Sequence, residues 1–158
     1  MEHLVFVYGT LKEGFCNFHV NHGRRVPGEF VTVQPHALLI VGQHWLPWLL
    51  EEARGGGGGG HHVIGQVFAV DDAGLAEMDR LEQLDEAGWY ERRRIQVRPR
   101  TTDANSTDTA DAPPIETWVY FGSREGLSTR GKQLGPLEVY TLAHQDLLPR
   151  FQEGLQGT

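Results

Sequence analysis

The apolar positions of the chain fall into short runs broken by polar stretches. Leu4 to Val7 is a continuous apolar run, which predicts a buried strand. Phe30 to Val33 predicts a second short strand, and Ala37 to Val41, closed by Gly42, a third. Trp45 to Leu50 (WLPWLL) is apolar but contains Pro47, and its length assigns it to neither helix nor strand. Val63 to Val70 predicts another strand, where Gly65 marks either a bulge or a close backbone approach. Tyr90 to Val97 and Glu116 to Phe121 complete the strands. Between them a helix is expected from about Ala73 to Asp85, stopping before Gly88. Asp71-Asp72 suits its start, because acidic side chains favour the positive end of a helix dipole. After Gly135 the apolar residues are scattered, with room for a short helix.

Strands dominate, one helix sits in their midst, and no βαβ period repeats. This excludes a doubly wound sheet and predicts an α+β fold, a small mixed and strongly curled sheet or barrel carrying a helix. The chain of 158 residues suits one domain over its whole length. The six-glycine run Gly55 to Gly60 and the polar segment Thr101 to Pro114 are expected to be flexible loops on it.

Composition narrows the partners. A net charge of -7 argues against nucleic acid, whose backbone calls for clustered positive charge. No stretch is apolar for long enough to span a membrane, and the first residues read as a strand, not a signal peptide. The expected address is the cytoplasm, and the expected state a monomer. Cys16, the single cysteine, has no internal disulfide partner and is expected to be an inert thiol. His19 with His22, and His61 with His62, match no metal-ligand spacing, and no glycine-rich phosphate loop is present. No metal or cofactor is expected.

Two features call for chemistry. On the helix LAEMDRLEQLDE, at roughly 100° per residue and with Leu75 as origin, Met78 falls near 300° and Glu82 near 340°. Glu82 thus stands inside the apolar stripe, while Glu77 and Arg80 lie on the far side. Periodicity leaves two readings. Glu82 is a boundary residue with a buried stem and a wet head, or a carboxylate held in an apolar cavity, with its pKa raised into the range of a general base. The second feature is Tyr8-Gly9-Thr10-Leu11, directly after the first strand. It is either a plain strand-to-loop turn or an anion nest of successive N–H groups with Gly9 admitting a ligand.

The motif VYGTL with the following LKEG and Asn17, the MDRLE helix ending at Glu82, Trp89-Tyr90-Glu91-Arg92 and the VYF strand at Val119 to Phe121 together resemble the gamma-glutamylcyclotransferase-like superfamily. Within it, VGQHWLPWLL (Val41 to Leu50) and GQVFAVDD (Gly65 to Asp72) are similar to the gamma-glutamylamine cyclotransferase, AIG2-like branch. The resemblance runs from Leu4 to about Val97 and resumes from Thr117 to Phe121. It implies a small mixed barrel and an enzyme forming 5-oxoproline from a gamma-glutamyl substrate by intramolecular attack of the α-amine. Glu82 would be the general base and acid. Tyr8, Gly9, Thr10 and Leu11 would hold the α-carboxylate, and Asn17 would organise the loop or touch the ligand. Tyr90 and Tyr120 would line the cavity, or else pack as core aromatics. Trp45 and Trp48 would shape its wall or a lid, with core packing as the equal alternative. A gamma-glutamyl-ε-lysine type of substrate is implied, with free gamma-glutamyl amino acids or an inactive binding module as alternatives. The two loops and the segment after Gly122 depart from the pattern.

Overall fold

The computed structural model describes residues 2–42, 46–51, 60–82, 88–100 and 113–145. The first apolar run forms β1 (His3–Val7), which is hydrogen-bonded along both edges. One edge pairs antiparallel with β6 (Ile64–Val70), from His3 opposite Val70 to Val7 opposite Gln66. The other meets β8 (Ile115–Gly122) in parallel, with Val5 opposite Trp118. β8 pairs with β7 (Tyr90–Pro99), β7 with β3 (Phe30–Thr32), and β3 returns to β6. Five strands therefore close into a barrel, with the two-residue β2 (Arg24–Arg25) added along β6.

Closure explains why β1 lacks a polar face. Phe6 joins a buried cluster drawn from every strand of the ring, including Phe30, Val67, Val97 and Val119, which fills the barrel. Val5 and Val7 point the other way and pack with Phe68, Val70, Leu75 and Met78. The last two belong to α1 (Asp72–Leu81), which covers that outer face. The Asp71 side chain caps α1 by accepting from the Gly74 N–H at 2.7 Å. The helix ends at Leu81, short of the expected Asp85, and residues 83–87 lie outside the described part.

WLPWLL resolves into β5 (Leu46–Leu50), the edge of a second sheet in the order β5-β4-β9. An edge strand tolerates Pro47, whose missing N–H breaks no ladder. Its neighbour β4 (Ala37–Val41) is buried throughout. Besides β2 and a 3-10 turn at Phe18–Val20, α2 (Arg124–Arg130) and β9 (Lys132–Leu137) were not foreseen, while α1 is the longest helix among the described residues. Leu127 is the sole large apolar residue of α2, and β9 is irregular where it meets β4, so neither has a hydrophobic period to read. The short helix expected after Gly135 is α3 (Leu142–Gln145). Residues 55–59 of the glycine run, residues 101–112 of the polar segment and Trp45 lie outside the described part. Among the described residues no helix is long and apolar enough to cross a membrane.

Gly65 is a site of close approach rather than a bulge. A Cβ there would stand 2.5 Å from the Val7 carbonyl oxygen and 2.7 Å from the Phe6 ring. Both belong to β1, its partner across the barrel seam. Gly65→Ala is expected to lower stability by about 1–3 kcal/mol, as overpacking does, read as a shifted urea midpoint with an unchanged slope.

Candidate active site

Glu82 is the C-cap of α1, with its N–H bonded to the Met78 carbonyl at 2.9 Å. The residue as a whole is half-buried. Burial raises its carboxyl pKa from the ordinary 4.5 to about 8. A helix C-terminus also disfavours a negative charge, so the dipole acts in the same direction. The position within the stripe of Leu75 and Met78 thus has the electrostatic consequence expected of a desolvated carboxylate.

Three buried tyrosines feel the Glu82 charge, and each comes from a different stretch of the barrel wall. Tyr8 follows β1, Tyr90 opens β7 and Tyr120 lies in β8. Burial is the main cause that raises all three phenol pKa values, so they stay neutral. Each hydroxyl is fixed as a donor: Tyr8 to the Tyr120 carbonyl at 2.6 Å, Tyr90 to the Pro47 carbonyl at 2.6 Å, and Tyr120 to Asp79 Oδ1 at 2.7 Å. With their protons committed, the oxygens keep lone pairs as acceptors. A desolvated carboxylate near such acceptors can take a proton from an ammonium group and pass it on.

The Tyr8 to Leu11 turn is organised from both sides. The Lys12 N–H closes a turn on the Gly9 carbonyl at 3.1 Å. Asn17 Nδ2 donates to Thr10 Oγ1 at 2.8 Å, and the Asn17 N–H to the Thr10 carbonyl at 2.9 Å. Asn21 Nδ2 donates to the Leu11 carbonyl at 3.0 Å. Asn17 therefore braces the loop. The space beside the Gly9 α-carbon is filled by Pro47, whose Cγ would stand 2.9 Å from an added Cβ. Beyond the turn, the buried Lys12 ammonium donates to the Tyr140 carbonyl, and burial lowers its pKa to about 8.

Trp48 is fully buried rather than part of a lid. Its Nε1 donates to the Ser123 carbonyl at 2.9 Å, and its ring lies 4.6 Å from that of Tyr90. Sequence reading missed Asp79, which holds Tyr120 and lies 3.5 Å from Arg92 Nε. The same helical wheel contained the signal: Asp79 falls roughly 40° from Leu75, on the apolar side. A surface cleft of about 310 Å³ between Glu2, His3, Leu4, Arg94, Glu116 and Trp118 contains none of these groups.

The chain is thus a closed mixed barrel whose covering helix ends in a desolvated carboxylate near three buried tyrosines. The model of the family described as "Gamma-glutamyl cyclotransferase, AIG2-like" matches residues 5–142, and the chain belongs to that family. The gamma-glutamylaminecyclotransferase of Homo sapiens is 36% identical over 125 residues, covering 74% of this chain and 76% of the relative. That of Bos taurus is 34% identical over 138 residues, covering 81% and 77%. A putative gamma-glutamylcyclotransferase of Vibrio cholerae is 33% identical over 121 residues, covering 77% and 83%. The crystal structure of an AIG2-like protein from Mus musculus superposes with a TM-score of 0.63 at 29% identity, covering 89% of this chain and 88% of that one. The chain is accordingly a cyclotransferase enzyme.

The raised Glu82 pKa couples folding to proton uptake. The folded state holds this proton more tightly, so the contribution of Glu82 to stability is full below about pH 4.5, falls as pH rises toward 8, and is level above it. One such group contributes a slope of up to about 1.4 kcal/mol per pH unit. Glu82→Gln is expected to remove this slope. The variant should gain on the wild type steadily across that window in urea titrations, and parallel curves would show that the carboxyl is not buried in solution.

Proposed function

We propose that the chain is a gamma-glutamylamine cyclotransferase acting on gamma-glutamyl-ε-lysine or a similar isopeptide. The observation that carries this reading is the burial of Glu82 near three neutral tyrosines, with its carboxyl pKa raised to about 8. In this reaction the substrate supplies its own nucleophile. Glu82 takes a proton from the α-ammonium group. The freed amine attacks the γ-carbonyl carbon, forming the lactam C–N bond. As the isopeptide C–N bond breaks, Glu82 gives that proton to the departing nitrogen and then relays the second proton of the attacking nitrogen, so that the ring keeps one N–H and the amine leaves as an ammonium. The products are 5-oxoproline and a free amine, and no water is consumed.

The remaining residues hold the substrate in a folded, attacking geometry, where most of the intramolecular advantage lies. The N–H groups of the Tyr8 to Leu11 turn receive the α-carboxylate, with Thr10 held by Asn17. The acceptor oxygens of Tyr8, Tyr90 and Tyr120 receive the ammonium. The likeness to the putative gamma-glutamylcyclotransferase of Vibrio cholerae favours a second reading, a cyclotransferase for free gamma-glutamyl amino acids, in which the same base would serve.

Glu82→Gln is expected to lower 5-oxoproline release by at least about 10²-fold while changing substrate affinity far less. In the wild type, kcat/KM should rise with pH toward about 8, because the base works only when deprotonated, and this limb should vanish in the variant. 5-Oxoproline and released amine should appear in equal amounts. Near-normal turnover of Glu82→Gln would overturn the assignment, and released glutamate would point to hydrolysis.

A further inference from the structure

The segment after Gly122 brings one charged side chain to the edge of the site. Arg130 is the last residue of α2, which starts where the Ser123 side chain accepts from the Gly126 N–H at 2.9 Å. The residue is half-buried, with its guanidinium carbon 4.1 Å from the centre of the Trp89 ring and 5.1 Å from that of Trp48. Nη1 donates to the Gly88 carbonyl at 2.6 Å. These contacts tie it to the stretch that supplies Tyr90. The Tyr90 phenol senses both charges, with Glu82 raising its pKa and Arg130 opposing that. Burial remains the larger cause of the shift.

Arg130, unlike the other arginine beside the site, has no ion-pair partner among the described residues. Arg92, on the Tyr120 side of the site, already has Asp79 at 3.5 Å. A guanidinium offers five N–H donors in a rigid fork, and among the described residues one hydrogen bond engages it, to the neutral Gly88 carbonyl. Stacking on indole rings restricts its motion without neutralising it. A planar, pre-oriented and uncompensated fork suits a carboxylate held by two parallel hydrogen bonds.

We propose that Arg130 is a specificity-determining residue that receives the α-carboxylate of the departing amino acid. This rests on the cyclisation reading given above. The gamma-glutamyl carboxylate is assigned there to the Tyr8 to Leu11 turn, which leaves Arg130 for the opposite end of the substrate. A departing lysine has its nitrogen at the scissile bond and its carboxylate beyond a flexible four-carbon stem. The enzyme therefore distinguishes gamma-glutamyl amines that end in a carboxylate from those made with plain alkylamines.

The test compares gamma-glutamyl-ε-lysine with gamma-glutamyl-n-butylamine on the wild type and on Arg130→Met, which keeps an apolar stem against Trp48 and Trp89. The wild type should favour the lysine compound. In the variant the ratio of the two kcat/KM values should fall by roughly 10- to 100-fold, the range of a charged hydrogen bond, and through KM rather than kcat. An unchanged ratio, or equal losses on both substrates, would overturn the proposal. Wild-type inactivity on both compounds would sink the cyclisation reading by itself. Arg130 would then be judged by calorimetric binding of Nε-acetyl-lysine: weaker binding to Arg130→Met supports the carboxylate site, and equal affinity overturns it.

Discussion

Because β1 joins β6 on one edge to β8 on the other, while β8, β7, β3 and β6 are themselves paired in sequence, the sheet closes on itself. Much of the site follows from that closure. Both faces of β1 become interior, which demands an unbroken apolar run and delivers the Tyr8 to Leu11 turn at a fixed point on the rim. The outer face needs a cover, and α1 provides it through Leu75 and Met78. Covering that face with these two side chains carries Glu82, one turn beyond Met78, in among the tyrosines. The second sheet is tied on by Pro47, which fills the space beside Gly9 and accepts the Tyr90 hydrogen bond.

The parts legible in the sequence were those with a strong period or a continuous apolar run. The strands around Leu4 to Val7, Ala37 to Val41, Val63 to Val70 and Glu116 to Phe121 all stand within a residue or two of where the pattern put them. Glu82 stood out because a charge within an apolar helical stripe conflicts with its surroundings, and that conflict needs no knowledge of tertiary structure. The contacts of Asp79 and Pro47 could not be read in the same way. Asp79 matters through a hydroxyl from β8, and Pro47 through a carbonyl offered to β7. Both contacts join residues more than forty positions apart in sequence. α2 and β9 were missed for a local reason: both are short, and their polar surfaces mask the one or two side chains that dock.

Two glycines show how closely packing and chemistry are joined. A Cβ on Gly122 or Gly126 would collide with the Trp48 ring at 2.3 or 2.5 Å. Their bareness lets the indole pass beneath the β8–α2 junction and lie against Tyr90. The guanidinium of the arginine that ends α2 lies 5.1 Å from the centre of the same indole. A segment with little hydrophobic signal is thereby anchored by one aromatic side chain from another sheet.

The single parallel contact between β1 and β8 sets an order of assembly. Val5 and Trp118 are separated by most of the barrel's sequence, while the pairings of β6 with β1 and β3 join segments nearer in the chain. During synthesis from the N-terminus, those pairings can form while β8 has yet to be made. Until it is, β1 presents an unpaired apolar edge, the kind of surface that recruits other strands. The contact that seals the barrel thus arrives late, and the interval before it is the chain's period of greatest exposure to misassembly.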